Sequence, residues 1–208
     1  MGNVTSEKLQ SWAEDNKVKN MRKAIDHDPS HAHTRFPEFY NTSLLHMAAK
    51  AGALETVQLL LDSGVEVDLE DERGTTPLHS ACRWQQGQAL EVVDLLLKNG
   101  ASLDTRWGPD GVNALLTCYV YSGMIEDTPQ ERASLDVSEA LIRRVLEEYE
   151  SRGSANVNLV SKTTGSTPLD WVVSAQRMGI FSCDYLREWT EKIRGILADA
   201  GCILEKEL

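Results

Sequence analysis

The chain has 208 residues, 41% of them hydrophobic and 25% charged, which suits one domain or two small ones and excludes a disordered tail. Lys and Arg number 21 against 32 Asp and Glu, and the net charge of −11 excludes non-specific binding to DNA or RNA, which needs a basic face. No run of about 18 apolar residues exists to cross a membrane, no apolar segment near the start reads as a secretory signal, and Cys82, Cys118, Cys183 and Cys202 form no C-x-x-C pair, so the expectation is a cytoplasmic or nuclear protein with reduced thiols.

The first six residues, Met1-Gly2-Asn3-Val4-Thr5-Ser6, fit the M-G-x-x-x-[ST] pattern for myristoylation at Gly2, so residues 1–8 are expected to form a flexible, lipidated N-terminus. One acyl chain holds a membrane only marginally. Lys8, Lys17, Lys19, Arg22 and Lys23 would supply the second signal for reversible attachment. Leu9, Trp12 and Ala13, then Met21, Ala24 and Ile25, predict two short amphipathic helices. His27, Asp28, His31 and His33 cluster where the second of these ends. Their spacing matches no standard zinc site, and no metal is assigned.

The next stretch has a plan that recurs. Ser43-Leu44-Leu45-His46-Met47-Ala48 opens a short helix, Val57, Leu60 and Leu61 mark a second, and Gly64 closes it. After a turn at Asp71-Glu72-Arg73-Gly74 the plan returns as Thr76-Pro77-Leu78-His79-Ser80-Ala81, then Val93, Leu96 and Leu97, then Gly100; His46 and His79 are 33 residues apart. The Thr hydroxyl can cap the first helix and Pro tolerates its first position. Neither helix can bury its apolar face alone, so copies must stack. Gly111–Cys118 opens a third full copy, whose second helix is displaced to 140–148 (Leu141, Ile142, Val145, Leu146). Gly165–Asp170 opens a fourth, with Asp170 where the other copies have His, and its second helix is predicted over 185–200 with Ile193, Ile196 and Leu197.

Thr76–Ala81 carries the T-P-L-H-x-A signature, and with the 33-residue period the chain resembles the ankyrin-repeat family. The resemblance implies an all-α solenoid of about five helix-turn-helix repeats, near 9–36, 41–70, 74–104, 111–158 and 165–203, in one domain over 1–208 with divergent terminal caps. It implies a non-enzymatic protein–protein interaction module, an adaptor or scaffold, that uses a concave groove lined by turn tips and by exposed positions of each first helix. His46 and His79 would then bond the backbone of adjacent turns.

Carried over residue by residue, the tips are Glu72 and Arg73, Trp107 and Asp110, and Lys162 and Thr163. The first-helix positions are Met47, Lys50 and Ala51; Ser80, Arg83 and Trp84; Thr117, Val120 and Tyr121; and Trp171, Ser174 and Ala175. Arg83, Trp84, Trp107, Tyr121 and Trp171 belong to the residue types that dominate interface energetics. The candidate partner-binding set is therefore Glu72, Arg73, Arg83, Trp84, Trp107, Asp110, Val120, Tyr121 and Trp171. The acidic surround favours a partner with a basic surface, and a monomer without cofactor is expected.

Two other readings stand beside this one. Residues 84–89, 123–137 and 176–186 lengthen the same inter-helix turn in three successive copies, and loops so placed could cover the pocket of an enzyme or small-molecule binder. No G-x-S-x-G, phosphate-cradling glycine loop or H-E-x-x-H is present, and no catalytic residue is assigned. The third reading is a regulatory protein recruited to a membrane through myristoylated Gly2.

Overall fold

The computed structural model describes residues 4–84, 87–108, 111–120, 129–153, 167–168, 170 and 184–202. They fall in two compact units, Met1–Thr105 and Arg106–Leu208.

In the first unit, Thr5 caps α1 (Ser6–Glu14) by accepting from Lys8 N at 3.4 Å, and the helix buries Leu9 and Ala13. α2 (Val18–His27) buries Met21, Ala24 and Ile25, the stripe expected from the sequence. Asp28 caps the short 3₁₀ turn that follows, Pro29–His33, through Ser30 N at 2.9 Å. Two-residue strands β1 (Arg35–Phe36) and β2 (Thr42–Ser43) pair antiparallel, Arg35 opposite Ser43 and Phe36 opposite Thr42, and project a tip at residues 37–41. Then come α3 (Leu44–Ala51), α4 (Leu54–Asp62), α5 (Pro77–Trp84) and α6 (Ala89–Lys98). First helices form one layer, α3 between α1 and α5, and second helices the other, α4 between α2 and α6. Leu44, Leu45, Val57, Leu60, Leu78, Val93 and Leu96 are buried between the layers, so each pair is covered by its neighbours.

The repeat histidine shows why the motif needs this residue. Ser43 Oγ accepts from His46 N, and His46 Nδ1 accepts in return from Ser43 N at 3.4 Å, a reciprocal cap on α3. Across the repeat boundary, Nε2 lies 2.8 Å from Thr75 O. A carbonyl only accepts, so Nε2 carries the proton and Nδ1 is left to accept. Burial is the largest cause that lowers the His46 pKa, to about 4. Thr76 and His79 repeat the local half of the arrangement, with Oγ1 2.8 Å from Nδ1.

α4 has no side-chain cap of its own. Asn16, from the turn between α1 and α2, fills the gap: its Oδ1 accepts from Thr56 N at 3.1 Å and Thr56 Oγ1 at 2.9 Å, and its Nδ2 donates to Glu55. The divergent first copy is thus tied to the second by hydrogen bonds as well as by packing.

Residues 87 and 88 of the lengthened turn are anchored to the preceding repeat. Gln88 N donates to Gly52 O at 3.1 Å, and Gly87 (φ +54°) lies so close that a Cβ there would stand 2.6 Å from Ala51 O. Gly87→Ala is expected to lower the unfolding free energy by about 1–3 kcal/mol, from left-handed strain and the clash together. Gly100→Ala, also at positive φ but with nothing within 4 Å of the new Cβ, is expected to cost less. Equal losses in urea unfolding would contradict the close approach.

In the second unit, α7 (Ala114–Val120) packs against α8 (Pro129–Ser151), and α8 against α9 (Asp184–Asp199). Here one expectation is corrected. Residues 123–137 were expected as an inserted loop before a helix at 140–148, but residues 129–137 belong to α8. Pro129 occupies a helix-tolerated first position. Leu135 and Ser138 extend the buried stripe of Ile142, Val145 and Tyr149 backwards at helical spacing. Trp189 Nε1 of α9 donates to Leu135 O at 3.1 Å, and Lys192 meets Glu139 at 2.6 Å. Asn113 Nδ2 donates to the buried Tyr149 hydroxyl at 3.3 Å. Asp170 does the capping that His does elsewhere, accepting from Thr167 N at 2.9 Å and Thr167 Oγ1 at 2.8 Å.

Candidate functional site

Among the described residues the exposed large hydrophobic side chains are Phe39, Tyr40 and Trp84, at 44%, 56% and 42%, and all belong to the first unit. Two arise at the 37–41 tip and one at the end of α5.

The tips are held to one another by the backbone. Tyr40 and Asn41 both take φ of 56°, a left-handed pair that closes the tip and is unusual for a bulky residue. Tyr40 O accepts from Glu72 N at 2.9 Å. Arg35 donates through Nε to Asn41 O at 2.9 Å and through its terminal nitrogen to Glu70 O at 2.6 Å. In the second tip Asp71, its side chain 1% exposed, accepts from Arg73 N and Thr75 N at 2.9 Å each. It also holds the Arg73 guanidinium at 2.9 Å. Burial by itself would raise the Asp71 pKa, but the Thr75 and Arg73 donors outweigh it and hold the carboxyl below its usual range. So fixed, the Arg73 guanidinium lies 4.6 Å from the centre of the Tyr40 ring.

A second cation–aromatic group joins the same two repeats at the far ends of their first helices. The Lys50 ammonium, from the last turn of α3, stands 4.7 Å from the centre of the Trp84 ring, and the Arg83 guanidinium stands 5.4 Å from it. Arg83 is half-buried, and desolvation followed by repulsion from Arg73 lowers its proton affinity.

Of the residues singled out in the sequence, Glu72 and Arg73 stand in the second tip, and Arg83 and Trp84 end α5, all four in the first unit. Trp107 belongs to the second unit, where it pairs with Val112 across a tip and donates through Nε1 to Thr117 Oγ1 at 3.2 Å. Asp110, Tyr121, Trp171 and Gly2 lie outside the described residues, as do Lys162, Thr163, Ser174 and Ala175. Val120 ends α7, but its side chain lies outside the description. Met47, Ser80 and Thr117 were expected on the open face and are buried instead, at 5%, 8% and 1% exposure. For Met47 and Ser80, the close stacking of first helices leaves open only the helix ends and the tips.

Sequence reasoning did not single out Phe39 and Tyr40. The signal was the period: Tyr40 precedes Arg73 by 33 residues, so it occupies the same tip position one repeat earlier.

Other candidate chemistry is thinner. Among the described residues no group of three or more His, Cys, Asp or Glu is placed to hold a metal ion. His31, in the histidine cluster, has Nδ1 3.0 Å from Ala24 O. Cys82, Cys118 and Cys202 are buried free thiols, and burial pushes Cys202 up to about 12. No helix among the described residues is long and apolar enough to cross a membrane. Of the lengthened turns proposed to cover a pocket, residues 85–86, 121–128 and 176–183 lie outside the described residues.

Residues 12–106 match the family model for ankyrin repeats in three copies. The chain is 35% identical over 97 residues, 46% of its length, to a probable E3 ubiquitin-protein ligase, XBOS32, of Oryza sativa subsp. japonica. It is 39% identical over 49 residues, 24% of its length, to protein phosphatase 1 regulatory subunit 12A of Mus musculus. It is 33% identical over 85 residues, 40% of its length, to the neurogenic locus Notch protein of Drosophila melanogaster. The match spans 19%, 5% and 3% of those relatives respectively, a small part of each.

Proposed function

Residues 12–106 of this chain belong to the ankyrin-repeat family, and from that premise we propose that the protein is a non-enzymatic binding module, an adaptor or scaffold. It docks a partner protein on the tips and first-helix ends of the first unit. The observation that carries this reading is the gathering of Phe39, Tyr40 and Trp84, with Arg73, Lys50 and Arg83 beside the two rings, on one pair of repeats. Aromatic residues and arginine carry most interface energy, and a rigid stack offers them with little ordering cost on binding. Hydrogen bonds accepted by the Asp71 carboxylate and donated by Arg35 and by Glu72 N fix the tips before any partner arrives.

The relatives named above share only a segment with the chain. The test is a quantitative pull-down from lysate of the source cells. Wild type is compared with Trp84→Ala/Arg83→Ala and with Glu91→Lys on the second-helix side. A stoichiometric partner whose apparent affinity falls at least tenfold in the double variant, and is unchanged in Glu91→Lys, is expected. Capture insensitive to Trp84 and Arg83 would remove this face from the function.

A further inference from the structure

The sign of charge on this face differs from that of the chain. In α3 the residue with a permanent charge is Lys50, and in α5 it is Arg83; neither helix contains a carboxylate. The second helices behind them, α4 and α6, carry Glu55, Asp62, Glu91 and Asp94 against one Lys98. In a protein of net charge −11, the four helices of these two repeats thus carry cations alone on the first-helix layer and all four of their carboxylates on the other. Both cations flank one exposed indole, Trp84, at 4.7 and 5.4 Å. An ammonium over a ring face is attracted through its charge and still offers directed N–H donors to a carboxylate.

The geometry points to a partner that presents an acidic peptide segment. Its Asp or Glu carboxylates meet Lys50 and Arg83, and an adjacent apolar side chain covers Trp84. This rests on the binding-module reading above and adds the chemistry of the occupant. Whole-chain charge favours basic partners at long range, but the contact itself is decided within about one Debye length, 8–10 Å, and the charged groups stacked on Trp84 are Lys50 and Arg83. The tips bound the acidic footprint, because Glu38, Glu70 and Glu72 stand there beside Arg35 and Arg73.

The experiment pans a displayed library of random 12-residue peptides on the full chain, then measures the affinity of the synthesised winners. Winners with net negative charge are expected. Their affinity should fall at least about tenfold in Lys50→Gln and in Arg83→Gln, fall with added salt, and stay unchanged in Lys98→Gln. Neutral or basic winners that are lost in Trp84→Ala would overturn the acidic occupant and leave the face standing. Acidic winners that bind Lys50→Gln and Arg83→Gln as tightly as wild type would also overturn it, and would assign those cations to the C-terminal ends of their helices. Winners indifferent to Trp84→Ala, or no enrichment at all, would sink both readings. A single-stranded oligonucleotide that binds with the same residue dependence would replace the peptide with a stacked base.

Discussion

Asp71→Ala is expected to lower the unfolding free energy by about 2–4 kcal/mol and to weaken partner binding with it. The carboxylate is buried, and the N–H groups of Arg73 and Thr75 both end on one of its oxygens at 2.9 Å. Alanine leaves those donors without an acceptor, and each buried orphan costs roughly 1–3 kcal/mol. The pair with Arg73 adds little to stability, because the arginine side chain is 39% exposed and solvent screens it. Its contribution is positional: without Asp71 the guanidinium is no longer held over Tyr40. Asp71→Asn keeps one acceptor oxygen for the backbone donors and is expected to recover most of the stability while losing part of the binding. Urea unfolding of the three proteins decides the matter. An alanine variant within about 0.5 kcal/mol of wild type would mean that the tip is not organised by this carboxylate.

Acidification from pH 6.5 to 4 is expected to remove on the order of 3 kcal/mol of stability through His46. The sign follows from the protons bound in each state. Unfolded, the imidazole titrates near its ordinary 6.5; folded, burial lowers it to about 4. Between those values the unfolded chain binds more protons than the folded one, so stability is full above 6.5 and falls as pH drops towards 4. Below the folded pKa the loss levels off. Asp71 is lowered from 3.8, so its contribution is present above that pH and is lost only below it, in a separate window. His46→Gln keeps a donor for Thr75 O and an acceptor for Ser43 N but has no titrating proton. It should flatten the profile between pH 6.5 and 4 at some cost in stability at neutral pH. A wild-type profile already flat over that range would show that His46 is not buried neutral.

The lesson for reading such a chain lies in particular residues. Period and composition by themselves determined the helix pairs from Leu9 to Gly100, because one apolar stripe recurs at 33 residues and a lone helix pair cannot cover it. The role of His46 followed too, since a cap of this geometry needs a side chain that accepts at one atom and donates at another. The second helix of the last copy was placed within one residue, at Asp184–Asp199 against 185–200.

The start of α8 was not legible. Pro129 and the polar residues after it read as a loop, but Leu135 and Ser138 are buried, and Trp189 of α9, 54 residues away, donates to Leu135 O. The candidate surface was legible only in part. Equivalence of repeats nominated Lys50, Arg73, Arg83 and Trp84, but it equally nominated Met47 and Ser80, and only the stacking of α3 on α5 buries those two. The cation–aromatic pairs, Arg73 on Tyr40 and Lys50 on Trp84, join residues 33 and 34 positions apart. A local pattern specifies which helix forms and which of its faces is apolar. Which exposed side chains meet across a repeat boundary depends on the spacing and rotation of neighbouring repeats, and that is decided by the packing of the core beneath them.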